Sequence, residues 1–160
     1  MPSTLNWKES NGDEVESSIT NVNFGNVDEP NIVPATDPVI IGQNSFSKYI
    51  RAKFTGTWTT ISNILFWKSA GAYVTGEAIK ASANVAFATP SKTGTGDSNI
   101  PVTEGTALAI NSAEGNPTIV YGASGVSGYT GYVRLQAQST VSTPTGAGNS
   151  KTLVMQYDET

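Results

Sequence analysis

The sequence predicts an all-β fold, a single antiparallel β-sandwich of about 8–9 short strands. Three observations point there. Ser, Thr, Asn and Gly supply the polarity, while charged residues make up only 14% of the chain, against roughly 25% in ordinary soluble domains. Short polar side chains compete for backbone hydrogen bonds and favour strands and turns over helices. Apolar residues also alternate by twos in several short runs, and Gly, Pro and Asn punctuate them at sandwich-like intervals. A chain of 160 residues is long enough for one domain, residues 1–160, that buries roughly two-thirds of its unfolded surface.

In chain order, Asn11-Gly12 in "LNWKESNGDEVESSI" predicts a hairpin through a two-residue type I′ turn, with Leu5-Trp7 and Val15-Ile19 as its arms. Residues 1–20 then form an N-terminal hairpin or arm suited to contacts between subunits. Pro30, Pro34 and Pro38 recur every four residues. That spacing forbids a helix interior or a central strand. Asp28 to Pro38 is therefore expected to run extended from one sheet to the other, with Val39-Ile41 entering the next strand. In "SFSKYIRAKFTGTWTTISNILFW" both helical and alternating spacings can be counted, but Thr55, Gly56, Thr57, Thr59 and Thr60 oppose a helix. Two antiparallel strands joined near Thr55-Thr57 are expected. Phe46, Ile50, Ala52 and Phe54 would point inward, and Arg51 and Lys53 outward.

"YVTGEAIKASANVAFATP" places Ile79, Ala81, Ala83, Val85 and Phe87 on one face of a further strand. "SKTGTGDSN" reads as a loop. "VTEGTALAI" and "NPTIVYG" read as short strands, and Val133, Leu135 and Ala137 point inward from "YTGYVRLQAQS". "TPTGAGNS" is a loop, and "KTLVMQYDE" a closing strand with Leu153, Met155 and Tyr157.

The composition excludes much chemistry. A net charge of −4 and a pI near 4.7 oppose nucleic-acid binding, which needs clustered cations. The tightest basic group, Lys48, Arg51 and Lys53, reads as the solvated face of a strand. No run reaches the roughly 20 apolar residues of a membrane helix. No signal peptide is visible, so synthesis in a cytoplasm is expected. Histidine and cysteine are both absent, which removes Ser-His and Cys-His nucleophiles, zinc sites of the usual kind and disulfides.

Carboxylate pairs remain, as Asp13, Glu14 and Glu16, then Asp28 and Glu29, then Asp158 and Glu159. They fall in turns or near prolines and the terminus, where solvated loop charge is the simpler reading. "GTGDSN" and "SNGDE" each read as turns rather than calcium loops. No catalytic residue, metal or cofactor is predicted. Glycine-rich "YGASGVSGYTGY" lacks the ending of a phosphate-binding loop. It presents Tyr121, Tyr129 and Tyr132, which are suited to an interface or to stacking on sugar rings.

The segments "NVNFGNVD", "IIGQNSFSKYIRAKFTGTW" with "ISNILFW", and "GYVRLQAQSTVSTPTG" running to "LVMQYDE" resemble small virion structural proteins of tailed bacteriophages, of the capsid decoration or cement type. A Phe-Gly before a crossing segment also resembles immunoglobulin-like modules. The resemblance implies an immunoglobulin-like or jelly-roll-like sandwich and a non-enzymatic role on a virion's capsid surface. The partners would be the major capsid protein and the chain itself, as a homo-oligomer, with a trimer favoured. Pro2, Leu5, Trp7, Asp28, Glu29, Pro30 and Pro34 are the expected contact residues. On that reading Trp7→Ala weakens shell binding by at least about 2 kcal/mol and leaves the melting of the monomer nearly unchanged. The alternative is a glycan- or receptor-binding module of a tail fibre or adhesin using Tyr121, Tyr129 and Tyr132.

Overall fold

The computed structural model describes residues 2–122, 128–145 and 149–160. Among them are ten strands in two antiparallel sheets. The larger sheet has six strands: β1 (Thr4–Asn11), β2 (Val15–Ser18), β3 (Lys48–Thr55), β5 (Ala78–Val85), β6 (Ser98–Asn99) and β9 (Tyr132–Gln138), in the order β2-β1-β3-β9-β5-β6. The smaller sheet contains β4 (Thr60–Ala70), β7 (Leu108–Ala109), β8 (Ile119–Val120) and β10 (Thr152–Glu159). Its path is β10-β4-β7, and β8 also pairs with β4. The expected all-β chain is thus present. β6 falls inside "SKTGTGDSN", which reads as a loop because a two-residue strand leaves no periodicity to detect.

One core draws on both sheets. Ile50, Ala52 and Phe54 of β3, Ile79 and Ala81 of β5, and Val133 and Leu135 of β9 meet Ile61, Ile64 and Phe66 of β4. Alternation within each strand is what delivers these side chains to one face. Two asparagines interrupt it. Asn63 (φ 50) and Asn84 (φ 57) adopt the left-handed conformation, which asparagine tolerates better than most residues. Each is the extra residue of a β-bulge. The bulge at Asn84 reverses the parity of the residues after it. Val85 pairs with Tyr132 rather than with an inward residue, and Phe87 lies against Tyr49 and Tyr132. Val85 and Phe87 therefore belong to the outer face, not to the face of Ile79.

Three connections differ from expectation. The first hairpin pairs Asn11 with Val15, so its loop is Gly12-Asp13-Glu14 rather than Asn11-Gly12. Its positive φ angles fall at Gly12 and Glu14. Residues 19–47 join β2 to β3, which lie in the same sheet on either side of β1. The Asp28–Pro38 segment therefore does not cross between sheets, and Val39-Ile41 is not a strand. This connection is packed: Ile32 is buried, and a Cβ on Gly25 would collide with both the Asp37 carbonyl and the Ile32 Cδ1 atom. Lastly, β3 and β4 are indeed strands, but they do not pair. The link through Gly56 (φ +100) carries the chain from the six-stranded sheet to the four-stranded one.

Candidate interaction surfaces and a buried polar cluster

The outer face of the six-stranded sheet holds two of the three tyrosines singled out in the sequence, Tyr129 and Tyr132. The Arg51 guanidinium lies 4.2 Å from the Tyr129 ring centroid and 4.6 Å from that of Tyr132. It also pairs with Glu16 at 2.7 Å. The Tyr129 hydroxyl donates to Glu16 at 2.9 Å, and the Tyr132 hydroxyl donates to Glu14 at 3.0 Å. Burial pushes the Tyr132 hydroxyl above its usual pKa, opposed by its hydrogen bond with Ser10. This weave ties edge strand β2 and the hairpin loop to the middle of the sheet. It satisfies the polar tips of both tyrosines internally, and Tyr132 is only 7% exposed.

Arg51 is accordingly not a solvated cation, and Lys48 is not solvated at all, its side chain being fully buried. Tyr121 stands apart from the other two, half-exposed and edge-on to Trp58 with centroids 5.0 Å apart. Residues 123–127 of "YGASGVSGYTGY" and 146–148 of "TPTGAGNS" lie outside the described residues.

Farther along the same face, Arg134 grips Asp97 with two hydrogen bonds of 2.9 and 2.6 Å. That grip holds the Asp97 carboxyl below the usual carboxylate range, and it raises Arg134 in return. "GTGDSN" is thus more than a turn: its acid anchors the segment leading into β6 onto β9.

The residues expected to make contacts are dispersed. Pro2 and Pro34 are exposed. Leu5 and Trp7 point inward from β1 and pack against the core, where Trp7 meets Phe66 edge-on at 6.0 Å. Trp7 also lines a cleft of about 560 Å³ together with Ile19, Val22, Phe66 and Leu153. This packing within one chain runs against the expectation that Trp7→Ala leaves the melting of the monomer nearly unchanged. Asp28 accepts hydrogen bonds from the Asn11 side chain at 2.7 Å and from the Gly12 amide at 2.9 Å, so it closes the hairpin loop. Glu29 is exposed, but its carbonyl accepts from the Lys48 ammonium at 2.7 Å. Pro30 beside it is half-buried.

A different set of apolar residues is exposed on two neighbouring loops. Ile40 and Ile41 are 42% and 38% exposed, and Val141 is 90% exposed. The two loops carrying them are fastened together. The Ser139 hydroxyl donates to the carbonyls of Ile40 (3.1 Å) and Gln43 (2.9 Å), and a Cβ on Gly42 would sit 3.2 Å from Val141.

The sequence reading also missed Glu9, Asn11 and Lys48, which are buried together on the inner face. Lys48 Nζ donates to Glu9 Oε1 at 2.8 Å, and Asn11 Nδ2 donates to the same oxygen at 2.9 Å. The signal was present, since Lys48 shares parity with Phe46 and Ile50, and Glu9 shares parity with Leu5 and Trp7. An inward lysine and an inward glutamate require each other. Among the described residues, no group of three acidic side chains converges in a metal-holding arrangement.

No protein-family model matches this chain, and no curated protein or solved structure matches it either.

Proposed function

We propose that this chain is a non-enzymatic structural protein of a bacteriophage virion, a capsid decoration protein that acts by contact alone. In this reading the two sheets form an immunoglobulin-like or jelly-roll-like sandwich. The protein is made in the host cytoplasm and then binds the assembled shell, as a homo-oligomer that touches the major capsid protein. Binding only the assembled state stabilises it by mass action.

The observation that carries the reading is the Ile40-Ile41-Val141 surface. Apolar side chains left in water on loops pinned to one another lose little entropy on docking, and such exposed groupings mark contact sites. The segment resemblance to phage virion proteins and the scarcity of basic residues support the same reading, because an acidic chain avoids packaged nucleic acid. The outer-face tyrosines support a glycan site less well, since Tyr129 and Tyr132 already spend their hydroxyls on Glu16 and Glu14.

The test is co-sedimentation with purified shells. Ile41→Asp combined with Val141→Asp is expected to weaken binding at least about tenfold, roughly 1.4 kcal/mol, with the melting temperature unchanged. Equal binding by the variant contradicts the assigned contact surface.

A further inference from the structure

The buried cluster at the Asn11 end of β1 has the makings of a covalent cross-link. In the β1–β3 register Glu9 faces Ile50 and Ser10 faces Tyr49. One step further sets Asn11 opposite Lys48, on the inner face, as directly opposed neighbours. Side-chain exposure is 0% for Lys48 and 1% for Glu9, and Asn11 as a residue is 6% exposed. Lys48 Nζ and Asn11 Nδ2 both donate to Glu9 Oε1. The amine and the amide are therefore held side by side by one carboxylate oxygen. Asp28 Oδ1 accepts from the same Asn11 Nδ2 at 2.7 Å, which fixes the plane of the amide. Two buried atoms of this cluster, Glu9 Oε2 and Asn11 Oδ1, have no hydrogen-bond partner among the described residues. Buried polar atoms without partners are costly and call for an explanation.

We propose that Lys48 and Asn11 become joined by an isopeptide bond inside the folded chain, with Glu9 carrying the protons. The Lys48 ammonium gives one proton to Glu9, which frees the lone pair on Nζ. That pair forms a bond to Asn11 Cγ while the carbonyl π electrons move onto Oδ1, which Glu9 stabilises by its proton. The carbonyl re-forms, the Cγ–Nδ2 bond breaks, and a second proton from Nζ passes to the departing nitrogen. Ammonia leaves beside Asp28, and the first proton remains on Glu9. No oxidant, metal or water is consumed.

The product resolves both unpartnered atoms. The new amide N–H donates to Glu9 Oε1, and the Glu9 Oε2 hydroxyl donates to Asn11 Oδ1. A buried cation and anion are replaced by neutral, mutually hydrogen-bonded groups, which removes the desolvation cost of keeping charges dry. In a chain without cysteine, the bond closes the first hairpin and the whole 19–47 connection onto β3, as a disulfide would but independently of redox conditions.

Mass spectrometry of the denatured full-length chain tests this. The wild-type chain is expected to weigh less than its sequence by one ammonia. Trypsin, which cuts after Lys8 and Arg51, should release Glu9–Arg51 as one fragment uncut at Lys48 and lighter by the same ammonia. Glu9→Gln and Lys48→Arg should each restore the full mass. A succinimide at Asn11-Gly12 loses ammonia too, but leaves Lys48 open to trypsin, so a light Glu9–Lys48 fragment overturns the proposal. A wild-type chain of full mass cut normally at Lys48 overturns it as well. Both readings use the wild-type chain after denaturation and so do not depend on how the variants fold.

Discussion

At the scale of single residues, the charged side chains do more structural work than their number suggests. Asp97 is the clearest case for a measurement. Its carboxyl is held below the usual carboxylate range by Arg134, so folding favours its charged form. The contribution is complete above the unfolded pKa, near 4, and disappears as the pH falls through the lower folded value. Asp97→Asn should lower stability at pH 7 by about 1 kcal/mol, because a bidentate charge-assisted pair is lost at a partly exposed site. The difference between wild type and variant should shrink as the pH is brought below about 4. A gap that stays constant from neutral to acidic pH, followed by chemical denaturation, contradicts this role.

Residue parity held the information about Lys48, since its inward position follows from the same alternation that places Ile50 and Phe54. Grouping it with Arg51 and Lys53 by charge concealed that. The parity switch at Asn84 was less legible. Asparagine tolerates the left-handed conformation without requiring it, so only the pairing with β9 reveals the bulge.

At the scale of elements, most strands were readable, β6 and the Val39-Ile41 segment being the exceptions, but beyond the first hairpin strand partnership was not. A turn-like link of threonines around Gly56 fits a hairpin and a crossing between sheets equally well. Nothing local records that β3 pairs with β1 and β9 while β4 pairs with β10. The prolines of residues 30–38 excluded helix and central strand correctly. The route of that segment depends on Gly25, Ile32 and Asp37 meeting at close range, a contact between positions the sequence does not visibly link. The β1 strand yields a prediction of its own. Because Trp7 packs edge-on against Phe66 and walls the cleft, Trp7→Ala should destabilise the isolated protein by about 2 kcal/mol, less than the roughly 3–5 kcal/mol of a fully buried tryptophan because its site is partly open. Thermal unfolding of the variant at the wild-type temperature would show that Trp7 contributes nothing to the monomer.

At the scale of the whole molecule, two antiparallel sheets share one core, and their sequence alternation made the class legible at the outset. The surface proposed for docking was legible only in kind. Extended, proline-bearing segments near residues 28–38 pointed to the 19–47 connection. Its exposed large apolar side chains are Val33, Ile40 and Ile41, and the loop carrying the last two meets the Val141 loop, at Gly42, only through the fold. The expected contact residues Leu5 and Trp7 turn inward because β1 joins the middle of a sheet instead of standing off as an arm. In the proposed reading this chain works by binding an assembled shell. Solution mass combined with co-sedimentation on purified capsids tests it most directly. A homo-oligomer, with a trimer expected, that pellets with the shells and raises their melting temperature is the predicted result. A chain that stays in the supernatant at every concentration and leaves shell melting unchanged contradicts it.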